Sequence, residues 1–160
     1  MRVVVQAVDS AAVDIEKEGW HRSIGRGLVA FVGIADSDGD AEAEWMARKL
    51  ASLRIFPDGN GRINLSVADI AGSVLSVSQF TLFADVRKGA RPNFSTAGEP
   101  THAKEMWLRF NKILARKWNV PVETGLFATD MKVSLVNHGP MTIVIDTDAM
   151  MGRAAKAAAV

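Results

Sequence analysis

The sequence predicts a single three-layer α/β domain in which a mixed, barrel-like sheet is covered by two main helices. Apolar, β-branched stretches of strand length alternate with two amphipathic stretches of helix length, and no repeat, linker or change in composition divides the 160 residues. With 48% hydrophobic residues the chain can bury a core of useful size. We expect roughly seven strands, a domain over residues 1–148, and a flexible tail of small residues over 149–160.

The predicted strands are rich in β-branched and aromatic residues. Two of them are "RVVVQAV" and "GLVAFVGI", and "VDIEKEGWHRSIG" between them is typical of a partly exposed hairpin. The stretch "GSVLSVSQFTLFAD" has too many apolar residues for one face, so this strand should be buried on both faces at its start and open toward Gln79. The Asp-Gly and Asn-Gly pairs of "PDGNGRIN" favour tight turns with positive φ.

Two helices are predicted from spacing and from their end signals. The first follows the Asp-rich segment "DSDGD", and its apolar stripe consists of Ala43, Met46, Ala47, Leu50 and Ala51. The second begins near Pro100 and Thr101 and extends to about Trp118, before Pro121. Its aromatic residues, Trp107 and Phe110, fit core packing better than a platform for stacking bases.

Composition excludes several classes of function. The chain has no cysteine, and His21, His102 and His138 lack the spacing of metal ligands, so we expect no thiolate chemistry, no metal and no cofactor. No apolar run approaches the roughly 20 residues of a membrane span. The segment "MRVVVQAVDS" reaches polar residues too early for the apolar part of a secretory leader, so we expect none. A cytoplasmic protein without membrane contact is expected. The net charge of +1 leaves a local basic patch possible.

Three segments carry polar groups whose role the pattern alone leaves open. "NHGPMT" places a glycine and a proline inside an otherwise apolar strand, where a chain selected only for stability would avoid them. Ser76, Ser78 and Thr81 belong to a buried strand, where hydroxyls are usually satisfied by backbone carbonyls, and no activating base is near in sequence. The loop "VRKGAR" is either a phosphate contact or solvated surface.

Two of these segments together resemble the paired signatures of the D-aminoacyl-tRNA deacylase family. "SQFTL" at 78–82 and "NHGPMT" at 137–142 match the family's SQFTL and N-x-G-P-x-T in order and approximate interval. The blocks "LRIFPDGNGRINLS", "DVRKGARPNFS" and "VETGLFATDMKVSLVN" are similar as well, so the resemblance covers the chain from its start to about Asp146. Two matched motifs with their connecting blocks are a specific signal.

The resemblance implies a homodimeric enzyme that hydrolyses the ester between a D-amino acid, or mischarged glycine, and the 3′ end of tRNA. It assigns catalysis to Ser78, Gln79, Phe80 and Thr81, with backbone N–H groups around Gln79 and Phe80 forming an oxyanion hole. It assigns substrate binding to Asn137, Gly139, Pro140 and Thr142, and an adenine pocket to Phe127 and Met131, for which core packing is the alternative. It further implies a cis Gly139–Pro140 bond whose loop enters the active site of the other subunit.

One position departs from the family pattern. Family members usually carry "VQRV" in the first strand, with an arginine that helps to hold the Gly-Pro loop, whereas this chain has "VQAV" with Ala7. Either another group holds the loop, or the loop is looser and discrimination against L-amino acids and glycine is weaker. The competing function is a non-catalytic module that binds the tRNA end or a nucleotide on the same fold.

Overall fold

The computed structural model describes residues 1–152, and we number its strands and helices in chain order. The eight strands are Arg2–Ile15 (β1), Trp20–Ile24 (β2), Gly27–Gly33 (β3), Phe56–Pro57 (β4), Ile63–Leu65 (β5), Ser73–Ser78 (β6), Val122–Thr124 (β7) and Lys132–Asp146 (β8). The helices are Asp40–Ser52 (α1), Pro100–Lys117 (α2) and the short Thr147–Met150 (α3). Turns of 3-10 helix span Glu16–Glu18 and Phe80–Phe83.

The main sheet is mixed, as the sequence predicts. Its order is β2-β1-β3-β6-β7, with β8 paired to the other edge of β1. The pairs β3–β6 and β6–β7 are parallel, whereas β1 is antiparallel to β2, β3 and β8. The strand predicted at "RVVVQAV" is longer than expected and continues to Ile15, because the alternation of buried residues continues through Ala11 and Val13.

Helices α1 and α2 pack on one face of this sheet and enclose the larger core cluster. The predicted stripe of α1 is confirmed, since all five of its apolar residues are buried. Trp107 and Phe110 of α2 are buried in the same cluster, together with Val3 and Val5 of β1. A smaller cluster on the opposite face includes Val8, Val29, Leu75 and Val77. The prediction that β6 is buried on both faces is therefore confirmed.

Helix α2 begins and ends close to the residues that the sequence predicts. α2 has Pro100 in its first turn, where a missing N–H is harmless, and ends at Lys117.

The amino group of Met1 is buried, pairs with the carboxylate of Asp38 and donates to the Thr147 hydroxyl at 2.6 Å. This contact fixes the start of β1 against the helix that follows β8.

The structure describes only the first part of the predicted C-terminal tail. Of the tail expected over 149–160, residues 149 and 150 belong to α3, and 153–160 lie outside the described residues.

None of the helices within residues 1–152 has the length and apolar character that crossing a membrane requires.

Candidate active site

The first motif lies where β6 leaves the sheet. β6 pairs with the parallel strand β3 up to Ser78, which lies opposite Val32. The N–H of the next residue, Gln79, donates to the Val32 carbonyl at 2.8 Å and is thus occupied by the sheet. A β-carbon on Gly33 would lie 3.0 Å from the Gln79 carbonyl oxygen, so glycine permits this close approach. Because the Gln79 N–H is already hydrogen-bonded, the backbone N–H groups that could bind an oxyanion are those of the residues after Gln79.

The 3-10 turn that follows supplies these donors. Its first hydrogen bond runs from the N–H of Leu82 to the Gln79 carbonyl at 3.3 Å. The first N–H groups of a helical turn have no hydrogen-bond acceptor within that turn. This is the position of the N–H groups of Phe80 and Thr81. Two adjacent N–H groups at the start of such a turn are suited to binding a developing negative charge.

The Thr81 hydroxyl has a hydrogen-bond donor rather than a base as its neighbour. The prediction that Thr81 lies in a buried strand is wrong, because β6 ends at Ser78 and Thr81 belongs to the 3-10 turn. Its hydroxyl is exposed and accepts a hydrogen bond from the side-chain amide of Gln79. An amide N–H cannot take a proton from a hydroxyl. Among residues 1–152, no histidine or carboxylate is hydrogen-bonded to this hydroxyl. The described chain therefore shows no group that would activate Thr81 as a nucleophile.

A cavity of about 820 Å³ opens beside the turn. Three of the expected catalytic residues line it, Ser78, Gln79 and Phe80, and so do both residues expected to hold the adenine, Phe127 and Met131. The volume and the largely apolar walls are those of a small-molecule site. The structure thus brings these five residues to one place.

Aromatic rings form the rim and the back of this cavity. At the rim, Phe80 is 58% exposed and its ring meets that of Phe94 edge-on, with centroids 5.1 Å apart. At the back, the rings of Trp107 and Phe127 lie 6.1 Å apart, and the Trp107 indole N–H donates to the Ser76 hydroxyl at 2.9 Å. The buried Ser76 hydroxyl therefore accepts from a side chain rather than meeting only backbone groups.

The charged groups that line the cavity are all acidic. They are Asp36, Glu99 and Asp130, and within the described chain no lysine, arginine or histidine joins them. The N–H groups of Thr101 and His102 donate to the Glu99 carboxylate at 2.9 and 3.1 Å and hold its pKa below the usual range. Glu99 is therefore ionised at neutral pH. Such a cavity favours an ammonium group and disfavours a phosphate.

The second motif forms a bulge in β8. Thr142 lies opposite Gln6 of β1, and Asn137 lies opposite Val8, so residues 138–141 face a single β1 residue. Residues 137–140 are exposed, as is Thr142. The Gly139–Pro140 peptide bond is cis, as the resemblance implies.

Side-chain amides close the base of this bulge. With its nitrogen facing the backbone, the Asn137 amide donates to the carbonyls of Ala7 and Met141 at 3.1 and 3.2 Å. The Gln6 amide donates to the Thr142 hydroxyl at 3.0 Å. The Ala7 side chain is buried in the core and plays no part in these contacts. Among residues 1–152, side-chain amides make these contacts at the base of the bulge, and no lysine or arginine is hydrogen-bonded to residues 137–142.

Within one chain the two motifs remain apart. Among the described residues, the cavity lining includes none of the substrate-binding residues expected in the second motif, which are Asn137, Gly139, Pro140 and Thr142. Thr81 is also absent from the lining, but its hydroxyl is hydrogen-bonded to Gln79, which is part of it.

Several cavity residues were missed from the sequence. Phe94 lies in the block "RPNFS", which resembles the family but had no assigned role, and Trp107 was assigned to the core, where it also lies. The acidic residues lie in loops or at a helix start, and no local pattern indicated that they meet.

Known proteins resemble this chain over most of its length. The family model described as D-Tyr-tRNA(Tyr) deacylase matches residues 4–146. A curated D-aminoacyl-tRNA deacylase of Bifidobacterium longum subsp. infantis is 49% identical over 155 residues, covering 92% of this chain and 95% of that protein. The same-named protein of Bifidobacterium animalis subsp. lactis is 46% identical over 156 residues, covering 92% and 98%.

Solved structures share the fold. One, titled "c-Myc DNA Unwinding Element Binding Protein", has a TM-score of 0.84 at 36% identity and covers 91% of this chain and 98% of its own. A second, titled as a probable eukaryotic D-amino acid tRNA deacylase, has a TM-score of 0.77 at 20% identity, with the same coverage, and supports the fold alone.

The family model and the curated relatives, which are all deacylases, define the class of this protein as a hydrolase. The family match and the identity to the curated deacylases extend over most of the chain. The chain belongs to the D-Tyr-tRNA(Tyr) deacylase family.

Proposed function

We propose that this protein hydrolyses the ester bond between a D-amino acid, or mischarged glycine, and the 3′ end of tRNA, and releases the free amino acid and tRNA. The observation that carries this proposal is the cavity, whose lining includes Ser78, Gln79 and Phe80 together with Phe127 and Met131. The reaction is expected in the cytoplasm, where aminoacyl-tRNA is used.

The chemistry needs positioning and charge stabilisation more than a protein nucleophile. Water adds to the ester carbonyl, the carbonyl oxygen becomes negative, and the bond to the ribose 3′-oxygen then breaks, with a proton passing to that oxygen. The N–H groups of Phe80 and Thr81 are the donors we assign to the oxyanion, and one such donor contributes about 3–4 kcal/mol. The Ser78 hydroxyl orients the substrate. The neighbouring 2′-hydroxyl of the terminal adenosine assists the attacking water.

The terminal adenine and the amino group occupy different parts of the site. Phe127 and Met131 hold the adenine, with Trp107 behind Phe127 at a centroid distance of 6.1 Å. The acidic lining, which includes Asp36 and Glu99, favours the positive α-ammonium group.

A second subunit completes the site in this proposal. The bulge 138–141 is exposed, and Val136 and Val144, 56% and 64% exposed, flank it on the same strand. Apolar side chains in such a position suit a surface that another subunit covers. The carbonyls of Gly139 and Pro140 from the partner bind the α-ammonium group. With ammonium and ester both fixed, an L side chain meets main chain whereas a D side chain points to solvent.

Subunit mixing tests the composite site. One variant carries Phe80→Pro, which removes an oxyanion donor, and the other carries Pro140→Ala in the bulge; each homodimer should be inactive. A mixed dimer then contains one site with both changes and one site with neither, so it should have about half of the wild-type activity. Random exchange of equal amounts makes about half of the dimers mixed, so the mixture should regain about a quarter of the wild-type activity. Sites built within single subunits would stay inactive on mixing. Sedimentation that found an active monomer would also refute the dimer.

The alternative, a non-catalytic module that binds the tRNA end, is separated by a time course. The enzyme should accelerate deacylation of D-Tyr-tRNA and leave L-Tyr-tRNA near its spontaneous rate. A binding module would instead protect both esters from spontaneous hydrolysis. Heat-inactivated protein is the matched control.

A further inference from the structure

A basic loop projects beside the cavity and has no role in the chemistry above. We define the basic loop as residues 85–93. Backbone hydrogen bonds of 2.7 and 2.9 Å between Asp85 and Asn93 close its base, and residues 86–92 are exposed. Gly89 adopts the left-handed region, with φ of 70°, near its tip. The loop contains three cationic residues and one carboxylate.

The position of the basic loop is fixed relative to the catalytic turn. Phe94, the residue after its base, lines the cavity and contacts the ring of Phe80. The Thr96 hydroxyl donates to the carbonyl of Phe83, the last residue of the 3-10 turn, at 3.1 Å. A ligand held by the loop is therefore placed beside the cavity rim.

The cations of the loop are of two kinds. Arg87 donates from its guanidinium to both oxygens of Asp85, at 2.9 and 2.7 Å, and this holds the pKa of Asp85 at about 2. The pair remains charged and closed at neutral pH. Lys88 and Arg91 differ, because no carboxylate among residues 1–152 forms an ion pair with either. Their charges are available to a ligand.

The acidic cavity and the basic loop suit different parts of one substrate. The cavity lining disfavours a phosphate, so an RNA whose 3′ end enters the cavity must leave its phosphates outside. We propose that Lys88 and Arg91 bind phosphates of the 3′ strand of tRNA that leads to the terminal adenosine. The inference rests on the proposed function, since it takes aminoacyl-tRNA as the ligand. The loop contributes affinity and leaves the chemistry unchanged.

The salt dependence of binding gives the expected magnitude. Each phosphate contact with a single strand contributes about −0.7 to the slope of log affinity against log salt. Losing two contacts should make the slope less negative by about 1.4, and should lower kcat/KM on tRNA about 10–100-fold at moderate salt. The loss should appear in KM, with kcat unchanged.

The test compares two double variants on two substrates. Lys88→Ala with Arg91→Ala removes the loop charges, and Lys112→Ala with Arg116→Ala removes the same two residue types from the exposed far end of α2. The substrates are D-Tyr-tRNA and D-tyrosyl-adenosine, which has no phosphate. Only the loop variant should lose activity, and only on the tRNA.

Three outcomes would overturn the inference. The loop variant could match the α2 variant on tRNA, it could lose equally on both substrates, or its salt slope could stay at the wild-type value. Binding of uncharged, 5′-labelled tRNA, followed by fluorescence anisotropy, gives an independent readout. If the wild type cleaves neither substrate, the proposed function fails, and the anisotropy comparison still decides whether the loop binds RNA.

Discussion

Ser76→Ala should destabilise the protein more than the loss of one hydroxyl usually does, because this hydroxyl is the acceptor for a buried indole. The Trp107 N–H donates to it at 2.9 Å, and the two residues are 2% and 0% exposed, respectively. A buried donor left without an acceptor costs about 1–3 kcal/mol. For a domain of this size each kcal/mol lowers Tm by about 2–4 °C, so we expect a loss of about 2–12 °C.

Thermal and urea unfolding measure this loss, and two further variants identify its cause. Ser52→Ala is the control, since the exposed Ser52 hydroxyl donates only to the Arg48 carbonyl at 2.8 Å, and its loss should change stability by less than about 0.5 kcal/mol. Trp107→Phe removes the indole donor, so adding Ser76→Ala to it should have little further effect. If Ser76→Ala costs the same in both backgrounds, the hydrogen bond is not the cause and the reasoning is refuted.

Four further predictions concern the site and its support. Thr81→Ala should keep activity within about tenfold of wild type, whereas a substrate lacking the terminal 2′-hydroxyl should react much more slowly at saturating enzyme; a trapped acyl-enzyme with an inactive Thr81→Ala would reverse both conclusions. Asn137→Ala removes two hydrogen bonds at the base of the bulge, about 1–3 kcal/mol, so kcat/KM on D-Tyr-tRNA should fall about 5–150-fold, and an unchanged value would exclude this amide as the anchor. Ala7→Arg should lower Tm, because the site is fully buried, and leave the ratio of D to L rates unchanged; a sharper ratio would show that the bulge lacks an anchor. Asp38→Asn leaves the buried amino terminus without its charge partner and should cost about 3–5 kcal/mol in urea unfolding, whereas a loss below about 1 kcal/mol would contradict the buried pair.

The elements that local pattern defines were predicted well. The stripe of α1 and the start of α2 at Pro100 follow from spacing and end signals, which depend only on neighbouring residues. The strand count was lower than the eight observed, because β4 and β5 contain only two and three residues and resemble the turn between them. The length of β1 was also underestimated, since its second half pairs with β2 and was assigned to the hairpin alone.

Sequence motifs indicate some residues of the site, whereas other features of the site depend on how distant strands and loops pack together. The grouping of Ser78 to Phe80 with Phe127 follows from the family resemblance, and the structure places them around one cavity. That the Gln79 N–H belongs to the sheet depends on the register between β3 and β6, which no local sequence feature specifies. The acidic lining likewise depends on a loop near Asp36 meeting the start of α2, where the Glu99 N–H donates to Asp36 at 2.7 Å.

The pairing of β1 with β8 also affects the order in which the chain folds during synthesis. β1 is made well before β8, yet their ladder runs from Arg2 opposite Asp146 to Asp14 opposite Lys132. Contacts between residues so distant in sequence form late and slowly, so a nascent chain exposes a long unpaired edge of β1 until residue 146 has left the ribosome. The bulge with Gly139 and Pro140 lies in this last ladder. The bulge that the proposed dimer needs should therefore form in the same step that removes this unpaired edge.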